Sequence, residues 1–426
     1  MSTPLLRRML LLGICCLLSM PLWAAGDFPL PSFPPEVIAY PAGEVVALQP
    51  LATLLGCTAK RDLLTGEVTV ARQGNTFTCA PHTLAAVVNG TPGKLTLMPM
   101  QRGNTCYVPL RPLIAALKGT VGEGNTGLLT LTLPGWAQPM ALPVKTMTGE
   151  AASLRETNSE LYVMNIDGTG LRRLTYGLGS RSVPSFSADG ATWVEGIGGN
   201  IYLHQAANQM PVCLLQTKED EGKEYSIANL HLSPDGKSAE YQALAFSTES
   251  RPFRRTIQAD WYSINMDGTG KHPIYRAGEE CVSPDGTRRL QVHGNAPLTV
   301  HIEAGPDAGK TITDPSGTKR QLASGASFSA DGKFIVFYDY AAGLCIADAE
   351  LTNVRTIIPK QATGFTRLQF TPDSMSILCN QEYNQYGLYL VNCDGSGMRL
   401  LTPGMHVAEF SILPDGKRIL FTARSN

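Results

Sequence analysis

The sequence predicts a mainly β chain: a six-bladed β-propeller preceded by a small α+β domain. Three observations lead there. A marker turn, Asp-Gly in five copies and Asp373-Ser374 in the other, recurs six times beyond residue 150, a set of hairpins interleaves with it, and a helix-plus-strand pattern occurs twice ahead of both. Composition agrees. With 43% hydrophobic and 17% charged residues the chain can bury cores, which excludes a disordered chain, a polytopic membrane protein and a collagen-like repeat. The 42 glycines and 29 prolines make turns frequent. Basic and acidic residues number 35 and 36, for a net charge of −1, which gives no reason to expect nucleic acid or an anionic membrane surface as partner.

Residues 1–26 read as an export signal. Arg7 and Arg8 precede the apolar run Met9–Leu18, then Pro21 and the small residues Ala24-Ala25-Gly26, and cleavage after Gly26 leaves small side chains at both recognition positions. The run is too short to span a bilayer. Cys15 follows Ile14, where lipoprotein processing needs a small residue, so no lipid anchor is expected, and no transmembrane anchor after cleavage. The expected location is exported, periplasmic or extracellular, in the cell envelope of a bacterium. Residues 27–35 form a proline-rich linker, expected to be extended and solvated. Eight cysteines follow the signal: Cys57, Cys79 and Cys106, then Cys213, Cys281, Cys345, Cys379 and Cys393. Both counts are odd, so each domain keeps a thiol or one bridge joins the domains; in the second domain they read as small buried strand residues. No CxxC pair occurs, which argues against structural zinc.

The first domain spans residues 36–145. Val46–Gly56 (VALQPLATLLG) matches Val108–Lys118 (VPLRPLIAALK) at an offset of 62. In each copy an alternating piece leads into an apolar helical face: Leu48, Leu51, Leu54 and Leu55, then Leu110, Leu113, Ala116 and Leu117. The strand-like segments EVTVAR and LLTLTL follow, and the two units are expected to bury their faces together. The second copy, with VVNG (Val87–Gly90) ahead of it, resembles the copper amine oxidase N-terminal-like (stalk) domain. That resemblance implies an attachment or spacer unit and no copper chemistry.

The second domain spans residues 146–426. Its marker aspartates are Asp189, Asp235, Asp285, Asp331, Asp373 and Asp415, spaced 46, 50, 46, 42 and 42. An apolar residue stands three before each (Phe186, Leu232, Val282, Phe328, Phe370, Ile412), and each turn leads into an alternating strand such as KFIVFY. The hairpins Leu161–Thr175, Trp261–Tyr275 and Leu388–Thr402 also turn at Asp-Gly; weaker versions begin at Ile201, Leu298 and Leu344. Six hairpins for six strand pairs make six four-stranded units. The repeat opens with a hairpin (161–175) and ends with a strand pair (407–424), so the closing blade should pair the C-terminal strands with that hairpin, removing exposed edges. The unit resembles the TolB-type, WD-related propeller repeat, which implies a scaffold docking a protein segment or envelope component over the channel mouth.

Several chemistries can be weighed. A calcium loop around Asp167 would need an oxygen ligand at Val163 and an acid at Leu174; around Asp267 the twelfth position is Ile274. The Asp-Gly pairs read instead as hairpin turns whose aspartates bond local backbone N–H groups. No G-x-S-x-G occurs; the lookalike Gly325–Ser329 is a propeller first strand, so no peptidase is expected. Oligogalacturonate-lyase-like propellers resemble this repeat and gather histidines from different blades. His82, His204, His231, His272, His293, His301 and His406 show neither HxH nor HExxH spacing, so no metal or other cofactor is assigned.

What remains is a binding surface on the variable loops. The longest, Gln242–Asp260, carries Arg251, Phe253, Arg254 and Arg255; Thr217–Ser226 is strongly charged; Tyr338, Asp339, Tyr340, Tyr383 and Tyr386 fall in two more loops. The innermost strands offer a second candidate. Six before the marker aspartates stand Val183, Asn229, Glu279, Gly325, Arg367 and Glu409; four before stand Ser185, His231, Cys281, Ser327, Gln369 and Ser411. Alternation with the apolar position turns them towards a central channel, able to hold a peptide end, a sugar, a cation or ordered water. The expected function is an exported, non-enzymatic binding or scaffold protein whose partner is a protein or peptide segment or a cell-envelope glycan. The alternative is a polysaccharide-active lyase or glycan-binding propeller.

Overall fold

Period-two alternation sets most of this chain into strands. The computed structural model describes residues 30, 33–35, 37–62, 64–102, 105–124, 128–146, 159–175, 181–187, 189–205, 208–217, 223–233, 235–247, 255–274, 280–285, 288–292, 300–304, 322–339, 341–360, 364–381 and 387–425. Within them the chain is mainly β, with two short helices. No described helix is long and apolar enough to cross a membrane. The signal-like residues 1–26 lie outside the described set.

The first part runs β1 (Val37–Tyr40), β2 (Gly43–Ala47), α1 (Leu48–Leu54), β3 (Thr58–Arg61), β4 (Val68–Arg72), β5 (Asn75–Cys79), β6 (Ala85–Val88), β7 (Thr91–Lys94), β8 (Met100–Arg102), β9 (Thr105–Pro109), α2 (Leu110–Ala116), β10 (Thr120–Glu123), β11 (Leu128–Thr132) and β12 (Met140–Thr146). One sheet has the order β10-β11-β12-β1-β2-β9-β8; the other is the meander β3 to β7. The duplication is written into the pairing: β2 lies antiparallel to β9 with Val46 opposite Val108, its own equivalent in the second copy. Pro50 and Pro112 sit in the first turns of the helices, where a missing N–H costs no intrahelical bond. Leu48, Leu51 and Leu55 of the first copy and Leu110, Leu113, Ala116 and Leu117 of the second enter one core with Val70, Phe77 and Leu131. Leu54 is half-buried against it. The two faces thus cover each other.

The second part comprises β13 (Glu160–Asn165), β14 (Arg172–Arg173), β15 (Ser185–Phe186), β16 (Thr192–Ile197), β17 (Asn200–Gln205), β18 (Asn208–Leu215), β19 (Lys223–Leu232), β20 (Ser238–Ser247), β21 (Arg255–Asn265), β22 (His272–Pro273), β23 (Glu280–Val282), β24 (Arg289–Val292), β25 (Val300–Ala304), β26 (Leu322–Phe328), β27 (Phe334–Asp339), β28 (Gly343–Asp348), β29 (Arg355–Pro359), β30 (Phe365–Phe370), β31 (Ser376–Gln381), β32 (Gly387–Asn392), β33 (Arg399–Leu400), β34 (Met405–Ile412) and β35 (Arg418–Ser425). They form small antiparallel sheets, β15 to β18, β19 to β22, β23 to β25, β26 to β29 and β30 to β33, each from consecutive strands. The last is different. Its order is β14-β13-β35-β34, with Leu161 opposite Thr422 and Asn165 opposite Arg418. Tyr162 stacks on Phe421 there at 5.5 Å between ring centroids. This is the pairing of tail and early hairpin that the order of repeats requires.

The Asp-Gly markers are turns closed by a local network. Asp189, Asp235, Asp285, Asp331 and Asp373 each accept a bond from the hydroxyl two residues earlier (Ser187, Ser233, Ser283, Ser329, Thr371). The same hydroxyls accept backbone N–H groups five residues on, for example Phe334 N at 2.9 Å from Ser329 Oγ. Leu413 has no hydroxyl, and Asp415 is instead held by Nε and Nη2 of Arg418 at 3.0 and 2.6 Å. Asp167, Asp267 and Asp394 accept the backbone N–H two residues on, at 2.8–2.9 Å. At Gly395 (φ +88°) a side chain would run into the Ile357 carbonyl of the preceding sheet, so glycine is needed for both conformation and space.

The linker departs from expectation. Phe33 is buried against Leu161, Val163, Val183, Leu413 and Leu420, and the Pro34 carbonyl accepts a bond from Arg181 Nη2 at 3.3 Å. Solvation loses because an aromatic ring gains more in an apolar seam than in water. Leu128 and Ala141 of the first part also pack with Ile197 and Tyr202 of the second. Of the cysteines, Cys345 and Cys379 are buried strand residues, and Cys57, Cys79, Cys106, Cys213 and Cys393 are also unbridged thiols; the side chain of Cys281 lies outside the described set.

Two outcomes follow. Gly395→Ala should lower unfolding free energy by about 2–3 kcal/mol in urea denaturation, against about 1 kcal/mol for Gly404→Ala, where φ is also positive but the space is open. Hydroxyl bonds, then backbone N–H bonds, hold the Asp189, Asp235 and Asp373 carboxyls below their ordinary range. Their folded pKa is depressed, so the stability they add is present above the ordinary carboxylate value and lost as pH falls below it. Tm measured downward from about pH 5 should therefore fall, and less steeply in Ser187→Ala, which loses one of those bonds.

Candidate functional site: a polar cavity at the inner strands

Four of the inner strands share one irregularity. Pairing slips between Ala228 and His231, Ser324 and Ala326, Phe365 and Leu368, and Val407 and Glu409. Each is a bulge that leaves a residue outside the ladder and re-aims its side chain. Asn229 and Gly325 take positive φ values of 49° and 59° there. As a result Val183, Asn229, Gly325, Arg367 and Glu409 meet Ser185, His231, Ser327, Gln369 and Ser411 around a cavity of about 400 Å³. These are ten of the twelve channel positions read from the sequence; Glu279 and the side chain of Cys281 lie outside the described residues.

Glu409 is the hub. Its Oε2 accepts the Val183 N–H at 3.0 Å and its Oε1 the Asn229 N–H at 3.1 Å, so one carboxylate on β34 ties two other sheets together. Arg367 Nη2 lies 3.3 Å from the same Oε1 and also donates to Asn229 Oδ1. Asn229 Nδ2 in turn donates to Gln242 Oε1 at 3.0 Å. Behind Arg367, the buried Asn380 Oδ1 accepts the Arg367 N–H and the Thr366 hydroxyl, both at 2.7 Å, which fixes the bulge. Ser185 Oγ accepts the Leu232 N–H at 3.0 Å, a further bond between neighbouring sheets. The half-buried Trp261 completes the wall from β21. The arrangement is a rigid, polar recess with its two opposite charges paired.

The loop candidates fare differently. Tyr338 is not on a loop: it lies within β27, one residue before its end, 3% exposed, with its ring edge-on to Phe365 at 6.0 Å. Asp339 is also buried, accepting the Ala341 and Ala342 N–H groups. Much of Gln242–Asp260 is a long hairpin rather than a loop, because β20 and β21 keep pairing out to Ser247 opposite Arg255. Arg251, Phe253, Arg254, Tyr340, Tyr383 and Tyr386 lie outside the described residues, as does the side chain of Arg255. The charged stretch Thr217–Ser226 gives its last four residues to β19.

A buried ionic group went unread in the sequence. Glu195 is 2% exposed and accepts Arg181 Nη1 at 3.0 Å, while its other oxygen lies 2.9 Å from His204 Nε2. Burial pushes the Glu195 carboxyl up, but His204 and Arg181 outweigh it and the net shift is downward. His204 stacks on Trp193 at 4.9 Å. The signal available was a glutamate inside the apolar run TWVEGI, on a buried strand. Among the described residues no group of three or more His, Cys, Asp or Glu could hold a metal ion.

Residues 41–129 match the family model for the copper amine oxidase N-terminal domain. No curated protein matches the chain in sequence. Among solved structures, the chain is similar to a TolB-like protein from Agrobacterium tumefaciens, with 15% identity, TM-score 0.40, and coverage of 62% of this chain and 97% of that one. A chain of the mitotic checkpoint complex gives 13% identity, TM-score 0.36 and coverage of 56% and 88%. Oligogalacturonate lyase in complex with manganese gives 12% identity, TM-score 0.33 and coverage of 55% and 67%.

Glu409→Ala strands two inward N–H groups and an arginine, and should cost about 2–3 kcal/mol in urea denaturation. Glu409→Gln keeps one acceptor and should cost less than half of that. Equal costs for the two variants would show that the carboxylate does not bridge the sheets.

Proposed function

We propose that this chain is an exported, non-enzymatic binding protein whose second part is a six-bladed TolB-type propeller. It docks a protein segment or other envelope component at the central cavity. The N-terminal α+β unit attaches or spaces the propeller within the periplasm or at the cell surface. One observation supports this most: residues from five separate sheets, four of them carrying a bulge on the inner strand, converge on a single polar recess. Convergence of that kind needs the sheets arranged round an axis, and a recess on a rigid frame is where ligands are held. The paired Arg367 and Glu409 hold the wall together rather than presenting a free acid or base, which fits binding better than turnover.

Immobilised full-length chain incubated with envelope extract tests this. Material held by wild type should be lost from Gln369→Arg, which fills the recess, and should be recovered chemically unchanged. The reading fails if both proteins hold the same material, or if wild type with added divalent cation cleaves it. Loss from the Arg254→Ala/Arg255→Ala variant alone would move the surface from the recess to the β20–β21 tip.

A further inference from the structure

We propose that the cavity takes an uncharged, polyhydroxylated ligand, a neutral saccharide unit. This rests on the reading of the cavity as the ligand site and names the chemistry of its occupant. The charge of the wall favours a neutral occupant. Among the described residues, the only Asp, Glu, Lys or Arg side chains in the wall are Arg367 and Glu409, and they face each other at 3.3 Å. A charged ligand would lose its hydration and find no spare Asp, Glu, Lys or Arg counter-charge among the described residues.

Several hydrogen-bonding groups in the recess are unspent. Arg367 uses Nη2 alone, so its Nε and Nη1 have no protein partner among the described residues, and the same holds for the Gln369 amide. Ser327 and Ser411 reach only the next carbonyl, at 3.3 and 3.4 Å, long for a hydroxyl donor. Ser185 accepts a bond and keeps its proton to give. Hydroxyls and a primary amide both donate and accept, and they stand on different strands around the recess. A ring of sugar hydroxyls, each also donor and acceptor, matches that set.

The shape of the recess points the same way. The wall strands are the edges of their sheets, but an extended peptide recognised along an edge also needs apolar side-chain pockets for its specificity. This wall presents side chains from the innermost strands, plus the aromatic ring of Trp261, and its volume is in the range of small-ligand sites.

The test is saturation-transfer NMR and titration calorimetry on the full chain. The probes are maltose, cellobiose and N,N′-diacetylchitobiose as neutral sugars, digalacturonic acid as the acidic one, and a capped neutral tetrapeptide. At least one neutral sugar should bind, with Gln369→Ala and Trp261→Ala each weakening it about tenfold and the distant Ser329→Ala leaving it unchanged. Gln369 makes no bond the fold needs, so its variant decides if Trp261→Ala does not fold. Tighter binding of digalacturonic acid, or binding of the peptide alone, would overturn the ligand class and leave the cavity as the site. Silence from every probe with folded protein would overturn the inference, while envelope capture judges the site separately.

Discussion

The antiparallel ladder between β13 and β35 is the interaction on which the second part of this protein depends. It joins residues near 160 to residues near 420, and it buries Leu161, Leu420 and Phe421 in doing so. Without it, β34 and β35 would end in an open edge and the first hairpin would have no sheet. Closing such a long loop costs entropy before any contact repays it, so the seam must be well packed. Phe33 adds to it from outside the repeats, sharing one buried cluster with Leu161 of β13, Leu420 of β35 and Val183.

The seam also makes the site. Glu409 sits on β34, and only closure brings it to the N–H groups of Val183 and Asn229. One carboxylate then serves as acceptor for three elements, and the bulge that exposes the Asn229 N–H is tolerated because its donor is satisfied. The residues that tie the sheets together and the groups left over therefore line the same recess. The inner pair neutralises itself, and the remaining amide and hydroxyl groups give the recess its chemical character.

Turn chemistry was legible in the sequence because it is local. A positive φ ahead of a strand is met by glycine in four of the described marker turns and by Ser374 in another, and in all but the last copy a hydroxyl two residues before the aspartate completes the turn. The repeat order likewise predicted which strands meet at the seam. Channel positions could be read from the spacing to each aspartate, but not that Arg367, Asn229 and Glu409 would spend themselves on one another. That pairing depends on bulges and on partners as many as 180 residues apart. Tyr338 and Asp339 misled for a related reason: polar residues at a strand end look like a loop until Phe365 of the next sheet covers the ring. The proline-rich stretch before β1 looked solvated because nothing local shows that Phe33 has a seam to enter. Glu195 stayed hidden because its partners, Arg181 and His204, are contributed by a separate segment and a neighbouring strand.

Amide hydrogen exchange of the full chain tests the closure most directly. If the ladder holds the ring, amides of Tyr162, Met164, Ile419 and Phe421 exchange only with global unfolding, together with those of the central strands β27 and β31. Exchange of β13 through local opening, while β31 stays protected, would contradict the account: the tail and the early hairpin would not be the clasp.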